Sequence, residues 1–144
     1  CKLKKKIVQK DETENNLRKV LNLGHTFAHA YESQTGFSNK LNHGEAVIIG
    51  IKNAAEFSNQ LKLLKNKSYN LIINHLDKIP LNKSFKKLFK KKDIDKIIYF
   101  MKSDKKNNSN NINIIFIKNF GMIKTTYQIH QSSLKKFLIS ELNN

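Results

Sequence analysis

The stretch LNLGHTFAHAYES, residues 21–33, carries His25 and His29 four residues apart in a segment otherwise apolar enough for a buried helix. On a helix at 100° per residue, Glu14, Arg18, Asn22, His25 and His29 follow one another at intervals of three or four residues. They share an arc of roughly 80°. The opposite side carries Val20, Leu21, Leu23, Gly24, Phe27, Ala28, Ala30 and Tyr31. A merely solvated face in this chain would carry lysine, which crowds nearly every other surface segment. Within this helix only Lys19 appears, off the stripe. The stripe instead offers a carboxylate, a guanidinium, an amide and two imidazoles. These residue types suit proton transfer, anion clamping and metal ligation.

A second imidazole element follows in LNHGEAV, residues 41–47, where His43 falls in the first turn of the next helix beside Gly44. Alone, His43 reads as an ordinary loop histidine. Together with His25 it has another meaning. Neutral imidazoles on two helices joined by a short loop can converge on one Zn²⁺, and a catalytic zinc takes about three protein ligands and keeps an open position. His25 and His43 supply two, and no nearby acidic residue is clearly the third.

The elements that must position these groups are legible in outline. Apolar periodicity places one helix from Asp11 to about Ser33, and QTGFSNKLN (34–42) has turn chemistry. Asn42 with Glu45 three residues later is a capping-box pair that opens a helix through residue 64, mostly apolar in its first half. Further helices are expected over 67–79, 84–91 and 93–106, with Asp93 as a cap, and over 132–142. The segment 112–129 alternates as two strands around a turn at Asn119–Gly121. Residues 1–10 are a basic lead-in, either a helix end or extended. The expected fold is mainly α with one β-hairpin near residues 112–129, in one domain spanning 1–144.

The 144 residues suffice for one sizeable core. A single cysteine, Cys1, rules out an internal disulfide and fits a reducing compartment. No apolar run approaches the roughly 18 residues of a membrane span, and no signal peptide is visible. The formal net charge of +16 points first to nucleic acid or another anionic surface. Yet of 27 basic residues Arg18 alone is arginine, whereas nucleic-acid interfaces rely on arginine for bidentate contacts. Lysine enriched alongside Asn and Ile reads more simply as a coding bias toward A and T. A lone arginine in that background implies a task that lysine does not meet.

The run DETENNLRKVLNLGHTFAHAYE…LNHGEAVIIG closely resembles the signature of the 3-dehydroquinate synthase family, with further similarity in CKLKKKIV and in MKSDKK…INIIFIKNFG. The resemblance covers most of the chain apart from the lysine-rich middle, about 62–98. It implies a helical C-terminal domain that in the family follows an NAD-binding α/β domain, with the active site between the two. It implies zinc (or cobalt) held by His25, His43 and a glutamate from the segment that would precede Cys1. It places the proton-handling pair on Glu14 and His29, and substrate contacts on Lys4, Arg18, Asn22 and Lys105 or Lys106. The implied reaction is a phosphate-eliminating cyclisation of a seven-carbon keto-acid sugar phosphate to 3-dehydroquinate in the shikimate pathway. Such an enzyme is a carbon–oxygen lyase that uses NAD⁺, and a cytoplasmic homodimer is expected. The chain begins without methionine and lacks one zinc ligand, so a fragment inactive by itself is expected.

Three family glycines are replaced here, by Asn16, Ala28 and Asn110, and the loop SNKLNHGE is one residue longer than usual. None of these changes removes a matched functional side chain. Three other readings stand beside the leading one: another sugar-phosphate cyclase, a basic helical module that binds nucleic acid and needs no histidine pair, and a decayed fragment that folds but lacks function.

Overall fold

The computed structural model describes residues 5, 7–9, 18–80, 83–103, 110–119 and 122–143, with the side chains of 124–126 left aside. Residues 7–9 of the basic lead-in are helical. The expected continuous helix to Ser33 is interrupted. Arg18–Asn22 forms a 3-10 turn, the chain bends at Leu23–Gly24, and α1 (His25–Gln34) starts afresh. Gly24 causes the break. It has φ +78°, a left-handed conformation open to glycine, and a Cβ there would lie 2.6 Å from the Ile51 backbone nitrogen. The Ala28 N–H still donates to the Gly24 carbonyl at 2.9 Å, so α1 begins hydrogen-bonded to the bend.

The second helix, α2 (His43–Gln60), opens as the sequence predicts. The Asn42 side chain accepts from the Glu45 N–H at 2.9 Å, and the Glu45 carboxylate accepts from the Asn42 N–H at 3.0 Å. Lys83 reaches the same carboxylate at 2.7 Å. The helix stops earlier than expected, at Gln60, where Lys62 takes φ +57° and the Leu63 and Leu64 N–H groups fold back onto the Ser58 carbonyl. Helices α1 and α2 pack closely where Gly24 meets Gly50. A Cβ on Gly50 would collide with the Gly24 carbonyl oxygen and lie 3.2 Å from the Ala28 nitrogen. Ala28, which replaces a family glycine, is fully buried, and Gly50 faces its backbone nitrogen.

The rest encloses this pair. The expected helices appear with trimmed ends: α3 (Asn66–Leu76), α4 (Phe85–Leu88), α5 (Ile94–Lys102) and α6 (Gln131–Glu141). Asp93 does not cap α5 with its side chain. Its carboxylate accepts instead from the Lys90 N–H at 2.8 Å and from Gln34 at 3.0 Å, tying the 3-10 turn Lys91–Asp93 to α1. Strands β1 (Asn111–Asn119) and β2 (Met122–His130) form a two-stranded antiparallel sheet. Ile112, Ile114 and Phe116 alternate inward. Bulges after Ile114 and Ile117 disturb the pairing, so that adjacent Phe116 and Ile117 are both buried. Buried Ser58 of α2 accepts from the Ile117 N–H at 3.1 Å while donating to the Ala54 carbonyl, which fastens β1 to α2.

The core lies where α1, α2, α5, α6 and the inner face of β1 meet, around Phe27, Tyr31, Phe57, Ile97, Met101, Phe116 and Leu138. The rings of Phe57 and Phe137 stack at 4.3 Å, and Phe116 meets Phe57 edge-on at 5.5 Å. Among the described residues no helix is long and apolar enough to cross a membrane. Beside the core, Glu56 of α2 and buried Glu141 of α6 share a hydrogen bond. Burial first, then that bond and the Glu141 charge, push the Glu56 carboxyl up from 4.5 to about 9. Lys52 pulls it the other way and Asp77 adds to the rise.

Two outcomes follow. Gly50→Ala places a methyl against the Gly24 carbonyl and is expected to cost on the order of 3 kcal/mol or more, read as a lowered unfolding midpoint. An unchanged midpoint would show that the helices do not touch there. The folded state holds the Glu56 proton more tightly than the unfolded chain does. Its stabilisation is therefore full below pH 4.5 and is lost as pH rises toward about 9. Glu56→Gln, which mimics the protonated form, is expected to flatten that decline in a pH series of unfolding midpoints. A variant that declines like the parent would refute the shared proton.

Candidate metal and substrate site

His25 begins α1 and His29 lies one turn on, while His43 begins α2. Because the two helices run antiparallel from the Gly24–Gly50 contact, the three imidazoles meet. Ring centroids lie 5.5 Å apart for His25 and His29, 5.7 Å for His25 and His43, and 6.3 Å for His29 and His43.

Each candidate metal ligand has one ring nitrogen engaged. His25 Nδ1 lies 3.3 Å from the Leu23 carbonyl, which can only accept, so Nδ1 is the protonated nitrogen and Nε2 keeps its lone pair. Burial, first of all, lowers the His25 pKa below its usual 6.5. The Leu23 carbonyl opposes that shift, and the neighbouring His29 and His43 add to it. A ring kept neutral is the form that binds metal. His43 Nδ1 lies 3.1 and 3.2 Å from the two carboxylate oxygens of Glu32, which likewise leaves Nε2 available. His29 is exposed. Both His25 and His43 thus suit a divalent transition metal. Among the described residues no group of three or more His, Cys, Asp or Glu forms a complete metal-holding set.

Arg18 and Asn22 occupy the two ends of the 3-10 turn just before Gly24, half-buried, on a turn that packs against both strands. The bend at Gly24 means that the polar stripe is not a single helical face. Lys4, Glu14, Lys105 and Lys106 lie outside the described residues. Sequence reasoning missed Glu32, which is buried and joined to His43. The signal was present: Glu32 is seven residues after His25 and three after His29, on the same helical face.

Comparison with known proteins gives the chain's family. The family model described as 3-dehydroquinate synthase C-terminal matches residues 1–107. The 3-dehydroquinate synthase of Pelagibacter ubique is 45% identical over 142 residues, covering 99% of this chain and 39% of that protein. That of Nitrobacter hamburgensis is 35% identical over 147 residues, covering 99% of this chain and 38% of that protein. The chain therefore spans about two fifths of the length of these curated relatives. Among solved structures, a 2-deoxy-scyllo-inosose synthase superposes with TM-score 0.70 at 21% identity, over 90% of this chain and 34% of that one. A second such structure, complexed with carbaglucose-6-phosphate, NAD⁺ and Co²⁺, gives TM-score 0.68 at 20% identity, over 90% of this chain and 36% of that one. At such identities the likeness concerns the fold.

Proposed function

We propose that this chain, which belongs to the 3-dehydroquinate synthase C-terminal family, is the helical metal- and substrate-binding part of a 3-dehydroquinate synthase. The observation that carries the reading is the convergence of His25 and His43, 5.7 Å apart, each with Nδ1 held and Nε2 available. The complete enzyme would be a carbon–oxygen lyase that converts the seven-carbon keto-acid sugar phosphate DAHP to 3-dehydroquinate and phosphate. An NAD-binding domain and the third metal ligand would come from sequence outside these 144 residues, and a cytoplasmic homodimer is the expected form. The curated relatives quoted above carry this name, which favours the reading over another sugar-phosphate cyclase. A nucleic-acid-binding module leaves the imidazole cluster without a task, and no observation favours it.

In this reading His25 and His43 hold a divalent metal, Zn²⁺ or Co²⁺. When bound, the metal supplies Lewis-acid polarisation of a substrate oxygen. NAD⁺, bound mainly by the other domain, supplies hydride transfer. The chain's own residues orient the substrate and move its protons. Arg18 offers a planar fork to a phosphate or carboxylate, and the amide of Asn22 one turn away suits a hydroxyl. His29, exposed beside His25, can exchange a proton with the substrate, with Glu14 as its partner in proton handling. Lys4 and Lys105 or Lys106 add positive charge for the phosphate and carboxylate.

The full-length protein is expected to release phosphate from DAHP in an NAD⁺- and metal-dependent manner, while residues 1–144 alone are inactive. Turnover by the isolated chain would overturn the division of labour. In the full-length enzyme Arg18→Lys is expected to lower kcat/KM by on the order of 10²-fold, because a point charge replaces a bidentate fork. Parental kcat/KM in that variant would remove Arg18 from the substrate clamp.

A further inference from the structure

We propose that Glu32 is the positioning residue for His43: its carboxylate fixes the imidazole's tautomer and direction so that Nε2 faces the metal. The inference rests on the metal reading above and goes beyond it by assigning a residue that the motif did not identify.

The two candidate ligands are held in different ways. His25 is aimed by a backbone carbonyl, which follows from the bend at Leu23–Gly24. The His43 side chain is 60% exposed, and among the described residues its one hydrogen-bonding partner is Glu32, whose side chain is 11% exposed. An exposed imidazole without such a partner samples several rotamers and both neutral tautomers. A carboxylate has no proton to give, so the shared proton is on Nδ1 and the lone pair is on Nε2. The carboxylate also makes the ring a stronger donor to a metal.

Glu32 is itself fixed by its surroundings. Its carbonyl accepts from the Phe37 N–H at 2.9 Å and from the Thr35 hydroxyl at 3.0 Å, so the loop between α1 and α2 winds around it. The capping box sets the backbone on the other side, since Asn42 and Glu45 bracket His43. The Glu32–His43 contact therefore spans two rigid helix ends. An incidental exposed ion pair would contribute little and orient nothing.

The test uses the full-length protein. Zinc affinity is measured by chelator competition, and the visible d–d absorption of the Co²⁺-substituted protein reports the ligand field. Glu32→Gln keeps size but can donate to Nδ1, which moves the ring proton to Nε2. Glu32→Asp keeps the charge but withdraws it by one methylene, and serves if the Gln variant fails to fold. Both variants are expected to bind zinc about 10–100-fold more weakly and to shift the Co²⁺ bands. Parental affinity and unshifted bands in a folded variant would overturn the proposal. His25→Ala and His43→Ala separate the two claims. If they abolish tight zinc binding while Glu32→Gln leaves it intact, the metal site stands and the role of Glu32 falls. If zinc binds without regard to either histidine, both fall.

Discussion

The contact between Gly24 and Gly50 is the constraint on which the rest of the site depends. A helix pair with side chains at the crossing would stand 8–10 Å apart. Here the backbone of the bend rests directly on α2, with no room for a Cβ on either residue. The contact has two consequences at once. It forces Gly24 into the left-handed conformation that ends the 3-10 turn and starts α1 at His25. It also fixes the antiparallel register of α1 and α2, because Gly50 is two turns along from His43 and Gly24 immediately precedes His25. The histidines are brought together by backbone packing some distance from their rings. The site can therefore be geometrically firm although His29 and His43 are exposed.

That firmness matters because the histidines are chemically ambiguous on their own. A neutral imidazole has two tautomers, and only one points a lone pair at a given point in space. The fold settles the matter differently for each ring. The bend that creates the Gly24 contact also presents the Leu23 carbonyl to His25, so one backbone feature both places and polarises that ring. His43 depends on a side chain from the other helix. Burial keeps the His25 ring neutral, and the flanking imidazoles discourage its protonation further.

Much of this was legible in the sequence, and the parts that were not share a cause. The capping box at Asn42 and Glu45, the hairpin and the final helix depend on local pattern, and the structure shows each of them. The pairing of His25 with His43 was also legible, since a short loop between two helices leaves few alternatives. The interruption at Gly24 was not, because periodicity there continues without a break. Left-handed Gly24 rests against Ile51, far along the chain, where a Cβ has no room. Asp93 misled for the same reason. It has the chemistry of a cap, but Gln34 of α1 and the Lys90 N–H compete for its carboxylate. Glu32 escaped notice because an acidic residue at the end of a helix usually faces water; its burial depends on how the loop closes over it.

The site is well built and yet incomplete among the described residues. His25 and His43 converge with Nδ1 of each engaged, and among the described residues no group of three or more His, Cys, Asp or Glu forms a metal-holding set. The core is assembled from this chain's own elements. Its aromatic centre is closed by α5, α6 and the hairpin, and Ser58 satisfies β1 from within. The rings of His25, His29 and His43 lie together on one side of the antiparallel α1–α2 pair. The close glycine contact thus separates two tasks within one pair of helices: the buried faces hold the fold together, and His25, His29 and His43 gather beside them.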